Sequence, residues 1–209
     1  DNSSLIATRI NTMMDNAENC ANITTLGLIQ LIEDDPDYGL DSASSLEMRV
    51  KIENELNTIK ITFPDIESAV YIDKDLNVFT NNKQIKKNID KLKESGLIEK
   101  MDQSSPQNKW LSMQRREFMV TDTEMPVLTL AKRVIDSRNG KTFGLLLLNI
   151  TENEISDIYT SMGPEGITSN FILDNQGMII SSQNPEDVLK QLENEKLKKL
   201  ILSKENFSE

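Results

Sequence analysis

The sequence predicts an α+β fold: a long N-terminal helix, a five-stranded antiparallel sheet, and the start of a second module of the same kind. Three observations carry that expectation. Apolar residues recur at helical spacing through residues 1–33. Segments rich in β-branched and aromatic residues then alternate with turn residues. Finally, the strand–turn–strand pattern Val70-Tyr71-Ile72, Asp73-Lys74-Asp75-Leu76-Asn77, Val78-Phe79-Thr80 returns later as Phe171-Ile172-Leu173, Asp174-Asn175-Gln176-Gly177-Met178, Ile179-Ile180. Superposing the two copies sets Asp73 on Asp174, Val78-Phe79 on Ile179-Ile180, and Thr80-Asn81 on Ser181-Ser182.

In the first helix Ile6, Ile10, Met13, Ala17, Cys20, Thr24, Gly27 and Leu31 form a seam of alternating four- and three-residue steps. Thr24 and Gly27 weaken it, so it reads as a helix packed on its own domain or on a second copy, not as a strong zipper. Ser44-Ser45-Leu46-Glu47 has the capping-box pattern that opens a helix. Ile52, Leu56, Ile59 and Phe63 line one face of that helix, and Pro64 stops it. The first strand–turn–strand follows, then a helical patch with Ile85, Ile89 and Leu92 on one side and Gly96 as its C-cap. A third strand is expected at residues 109–114, and a long hairpin at 127–135 and 142–150 turns through Asn139-Gly140. Thr151-Glu152-Asn153-Glu154 opens another helix, with Ile155, Ile158, Tyr159 and Met162 inward. After the second copy, Asn184-Pro185-Glu186-Asp187 reads as the start of a last helix carrying Leu189, Leu192, Leu200 and Ile201.

The expected organisation is therefore an N-terminal helical stalk at 1–62, a first module at 63–162, and the beginning of a second at 163–209. The second copy has too little chain after its hairpin to complete a sheet like the first. Together with a start inside a helical pattern, this suggests a piece of a longer protein.

Composition narrows the function. The chain has 209 residues and a net charge of −11, which argues against a nucleic-acid binder and against adhesion to anionic lipid. No apolar run is long enough to span a bilayer. Histidine is absent, which removes the commonest general base and metal ligand. The single cysteine, Cys20, lies on the apolar helix face and reads as a small packed residue. Asp73-x-Asp75-x-Asn77 begins like a calcium loop but has Val78 where glycine is required, and Gly140-Lys141-Thr142 lacks the first glycine of a phosphate loop. Carboxylates are too plentiful to single out a catalytic pair. No metal, cofactor or catalytic residue is expected.

The order of these elements carries a resemblance. A long helix, the Tyr71-Ile72-Asp73 hairpin, Trp110 on the third strand, Leu128-Thr129-Leu130-Ala131-Lys132-Arg133-Val134-Ile135-Asp136 and the paired 140–150 segment come in sequence, followed by the second hairpin. The chain resembles the double Cache sensor domains of bacterial transmembrane receptors, most of all the extracytoplasmic domains of YesM-type sensor histidine kinases. The resemblance implies two PAS-like modules lying outside the plasma membrane and joined to it only by flanking transmembrane helices. It also implies homodimerisation in the receptor and a small molecule bound in the first module. A chemoreceptor or cyclic-dinucleotide enzyme as the parent protein is the alternative within the class. A pocketless interaction module, with a filled sheet face beside Trp110 and Asn149, is the alternative outside it.

By this resemblance Tyr71, Trp110, Lys132 and Asn149 are the candidate ligand-binding residues. Family members that bind amino acids carry an Arg-x-Trp-Tyr element on the third strand and an acid near the end of the last. The arginine suits a carboxylate because it donates two parallel hydrogen bonds, and the acid pairs with an ammonium. Here Asn108-Lys109-Trp110-Leu111 and Asn149 occupy those places. A neutral polar or sugar-like ligand is therefore expected over a free amino acid.

Overall fold

The computed structural model describes residues 2–35, 46–102, 108–161 and 171–192. Helix α1 runs Asn2–Glu33 and α2 Leu46–Thr62. Strands β1 (Ser68–Asp73) and β2 (Val78–Thr80) precede two short helices, α3 (Ile89–Glu94) and α4 (Leu97–Asp102). Then come β3 (Lys109–Gln114), β4 (Val127–Ile135) and β5 (Thr142–Thr151). Helix α5 (Glu152–Thr160) and strands β6 (Phe171–Leu173) and β7 (Ile179–Ser182) follow.

The chain divides into two compact units, Asn11–Thr151 and the remainder, each considered by itself. In the larger unit the five strands form one antiparallel sheet in the order β2-β1-β5-β4-β3. Hairpin β4–β5 forms because Asp136 N–H and Lys141 C=O pair across a turn that Gly140 completes at φ 72°. Gly144 on β5 is required for a different reason. A Cβ there would lie 2.6 Å from the Tyr71 ring and still closer to the Ile72 carbonyl oxygen, so β1 and β5 pair only over a bare backbone.

The period-2 alternation of strands then assigns each side chain to a face. One face looks toward α1 and α2. The buried stripe of α1 in this unit is Met13, Ala17, Cys20, Ala21, Thr24, Thr25, Leu28 and Ile32, and α2 contributes Met48, Ile52, Leu56 and Ile59. The seam expected from sequence thus packs on its own domain, and its buried residues follow the ordinary 3.6-residue helix more closely than a 3.5-residue zipper. Arg49 of α2 lies 4.6 Å from the Phe79 ring centroid on this side, and Phe79 stacks on Tyr71.

The opposite face is covered by α3, α4 and the segment after β3. Val70, Ile72, Val78, Ala131, Leu145 and Leu147 of the sheet pack there with Ile85, Leu92, Leu97, Phe118 and Met119. The helical patch expected before Gly96 is α3, with Ile85 just ahead of it, and a second helix, α4, follows. Gly96 sits at φ 64° between them, and the Asn88 side chain caps the first by accepting from Lys91 N–H.

The second unit repeats the first hairpin in β6 and β7, which pair antiparallel. Here one expectation is corrected. The stretch from Asn184 is a single 3₁₀ turn, Pro185–Asp187, with Asn184 as its N-cap, and not a long helix. Leu189, at φ 73°, turns the chain back so that its N–H donates to Ile179 C=O and Lys190 C=O accepts from Ile179 N–H. A stretch that pairs with β7 cannot also wind into a helix. Met162, Leu200 and Ile201, and the proposed cap at Ser44-Ser45, lie outside the described residues.

Candidate functional site

The four residues singled out by sequence do not meet on one face. Tyr71 is fully buried on the helix-covered side, and its hydroxyl donates to Phe143 C=O at 3.1 Å. Trp110 Nε1 donates to Glu18 Oε1 of α1 at 2.8 Å. Lys132 Nζ donates to Asn22 Oδ1 of α1 at 2.8 Å, and burial lowers its pKa from the ordinary lysine value. These three face α1 and α2.

Asn149 alone occupies the other face. It is 1% exposed and sits two residues beyond Leu147 on β5. Its Oδ1 accepts from Thr129 Oγ1 at 2.7 Å, and its Nδ2 donates to Ser68 Oγ at 3.0 Å and to Met119 C=O at 2.8 Å. A buried amide must find such partners, and these tie β1, β4 and the segment after β3 to β5.

The network extends to a residue that the strand motifs did not include. Arg116, just beyond β3, donates from Nε to Thr129 Oγ1 at 3.1 Å and from Nη2 to Ser112 C=O at 3.0 Å. With its oxygen turned inward, the Gln114 amide accepts from Nη1 at 2.7 Å and Nη2 at 3.1 Å. Arg116 is 8% exposed, and no described carboxylate forms an ion pair with it. Burial pushes the guanidinium down to about 10, still charged at neutral pH. These bonds use four of its five N–H donors, leaving one on Nη1. The signal legible in the sequence was the Arg115-Arg116 pair after a strand. What was not legible is that Arg116, the second of the pair, folds back over the sheet.

Beside Arg116 a cleft of about 690 Å³ opens between α3, α4 and β3. Lys100, Lys109, Leu111, Ser112 and Phe118 are among its walls; Trp110 borders it although its Nε1 turns to α1, and Asn149 does not line it. Its two carboxylates, Glu94 and Glu117, both lie on Lys91 Nζ, at 3.1 and 3.3 Å. The arrangement offers hydrogen-bond donors and positive charge above an apolar sheet. It offers no nucleophile–base pair, and no group of three or more metal-ligating side chains occurs among the described residues.

No family model matches the chain, and no curated protein sequence does. Solved structures do. The periplasmic sensory domain of the Campylobacter jejuni chemoreceptor Tlp1 superposes with a TM-score of 0.66 over 96% of this chain and 79% of its own, at 12% identity. The ligand-binding domain of the Campylobacter jejuni chemoreceptor Tlp3, in complex with L-norvaline, gives 0.62 over 89% and 68%, also at 12% identity. That of Pseudomonas fluorescens chemoreceptor CtaA, in complex with L-valine, gives 0.52 over 87% and 78% at 14% identity. The chain shares its fold with these chemoreceptor sensory domains. At these identities the likeness is one of architecture.

Proposed function

We propose that this chain is the non-catalytic, small-molecule-sensing domain of a bacterial transmembrane receptor, lying outside the cytoplasmic membrane. The observation that carries the reading is the buried Arg116–Thr129–Asn149–Ser68 network beside an open cleft. Arg116, the charged donor of this network, lines the cleft, as the few placed polar groups of a small-molecule site do. The shared fold with sensory domains that bind small molecules supports the same reading.

In this reading residues 63–162 form the sensing module, with the ligand on the face covered by α3 and α4. Residues 1–62 form the stalk and 163–209 begin the second module. Asn149 belongs to the ligand face, while Tyr71, Trp110 and Lys132 hold the sheet to α1. A chemoreceptor is favoured as parent protein over a YesM-type histidine kinase, because the structural likeness is to chemoreceptors. The ligand shifts the balance between two arrangements of the module, and α1 conveys the shift to the membrane in a receptor homodimer. No described helix is long and apolar enough to cross a membrane, so in this reading flanking segments provide the spans.

Thermal unfolding against sugars, amino acids and organic acids tests the proposal. A ligand at about a hundred times its dissociation constant adds about 2.7 kcal/mol, which raises Tm by roughly 5 to 10 °C for a domain of this size. The shift is expected to shrink in Ser112→Trp, a bulky substitution in the cleft wall. Absence of any shift across all classes would overturn the sensor reading.

A further inference from the structure

The charge of the cleft identifies the class of ligand. The chain is acidic, with a net charge of −11, yet residues 83–116 hold nine Lys and Arg against four Asp and Glu. Of these cations Lys91, Lys100, Lys109, Arg115 and Arg116 line the cleft, against the two carboxylates Glu94 and Glu117. Within the walls the two carboxylates are both taken by Lys91. Lys100 and Lys109 have no ion-pair partner among the described residues, and Arg115 donates only to the Glu124 backbone carbonyl, at 2.9 Å. At the base, the Arg116 guanidinium is held by neutral acceptors alone.

A buried guanidinium without a counter-charge costs stability unless something supplies that charge. An α-amino acid would bring an ammonium into a cleft whose carboxylates are already engaged. A neutral sugar would leave the cations uncompensated.

We propose that this cleft binds a small organic anion without a compensating ammonium group, an anionic oxygen resting on the Arg116 guanidinium and the remaining charge facing Lys109 and Lys100. The proposal rests on the sensor reading and names the ligand class of that site. Arginine suits the role because its planar fork meets carboxylate or phosphate oxygens with directed N–H groups.

Isothermal titration calorimetry of the full chain at constant ionic strength tests it, with succinate, citrate and inorganic phosphate set against valine and glucose. At least one anion is expected to bind. Its Kd should rise about tenfold or more in Arg116→Gln, consistent with loss of a charge-assisted hydrogen bond. It should rise several-fold in Lys109→Gln, an exposed substitution that spares the fold, and stay unchanged in Lys60→Gln on α2. Valine or glucose binding while the anions are silent would overturn the inference and leave the sensor reading standing. Anion binding unchanged in both Arg116→Gln and Lys109→Gln would also overturn it. Silence of every class would count against the sensor reading itself.

Discussion

Asp73 and Asp174 perform the same task at two equivalent turns. Asp73 Oδ1 accepts the N–H groups of Asp75 and Asn77 at 2.9 and 2.8 Å, and Asp174 Oδ1 accepts those of Gln176 and Met178, both at 2.9 Å. The backbone closes identically around each, from Asp73 N–H to Asn77 C=O and from Asp174 N–H to Met178 C=O. The hairpins are copies in geometry as well as in residue pattern. Asp73, whose Oδ2 also accepts from Asn77 Nδ2, has its carboxylate committed to the turn and not poised for a metal.

The two aspartates should therefore be costly to remove, and unequally so. Asp174→Ala is expected to lose about 1–2 kcal/mol and the more buried, more heavily bonded Asp73→Ala roughly 2–4 kcal/mol. Urea unfolding of both variants checks the order, and an equal loss would contradict the stated bonding.

The third turn residue differs between the copies, with Leu76 at φ 63° where the second copy has Gly177 at φ 80°. A side chain in this left-handed region costs about 1–2 kcal/mol, so Gly177→Ala should destabilise by about that amount. Leu76→Gly is expected to be nearly neutral, because the backbone relief is offset by lost packing against the core under α3 and α4. Thermal melts of the pair decide it.

Asp136 at the β4–β5 turn predicts acid sensitivity. Its hydrogen bonds from Arg138, with that cation's charge and the Asn139 amide adding to them, hold its carboxyl down at about 2, from an ordinary 3.8. In this window the unfolded chain binds more protons than the folded one, so stability rises with pH. The contribution is complete above the unfolded value and is lost as pH falls from about 4 toward 2. Urea midpoints across that range should fall more steeply for the wild type than for Asp136→Asn.

Cys20 should be chemically silent in the native protein. It is 1% exposed on α1, and burial pushes its thiol up to about 11, with Thr24 opposing weakly. Labelling by an aromatic disulfide reagent at neutral pH is expected to proceed at the rate at which α1 opens, and to become fast in denaturant. Rapid labelling of the folded chain would show that α1 is not docked as described.

What the residues determined by themselves is local. Alternation and turn chemistry placed β3 and β4 at their observed limits, and the Asp73–Asp174 equivalence was readable because an Asx turn is made by neighbours in sequence. The last helix was misread for the complementary reason: Asn184-Pro185 does start a turn, but pairing of Lys190 with Ile179 is a longer-range event that local capping signals do not report.

The tertiary structure decided which face is which. Adjacent strand residues such as Lys132 and Arg133 point to opposite faces, and the packing of α1 decided that Lys132 meets Asn22 while Arg133 meets Thr142. It likewise separated Trp110 and Tyr71 from Asn149, and brought Arg116 over Thr129 from outside any strand. Strand periodicity fixes relative orientation within a segment. The absolute side depends on what covers the sheet, and that is a property of the whole fold.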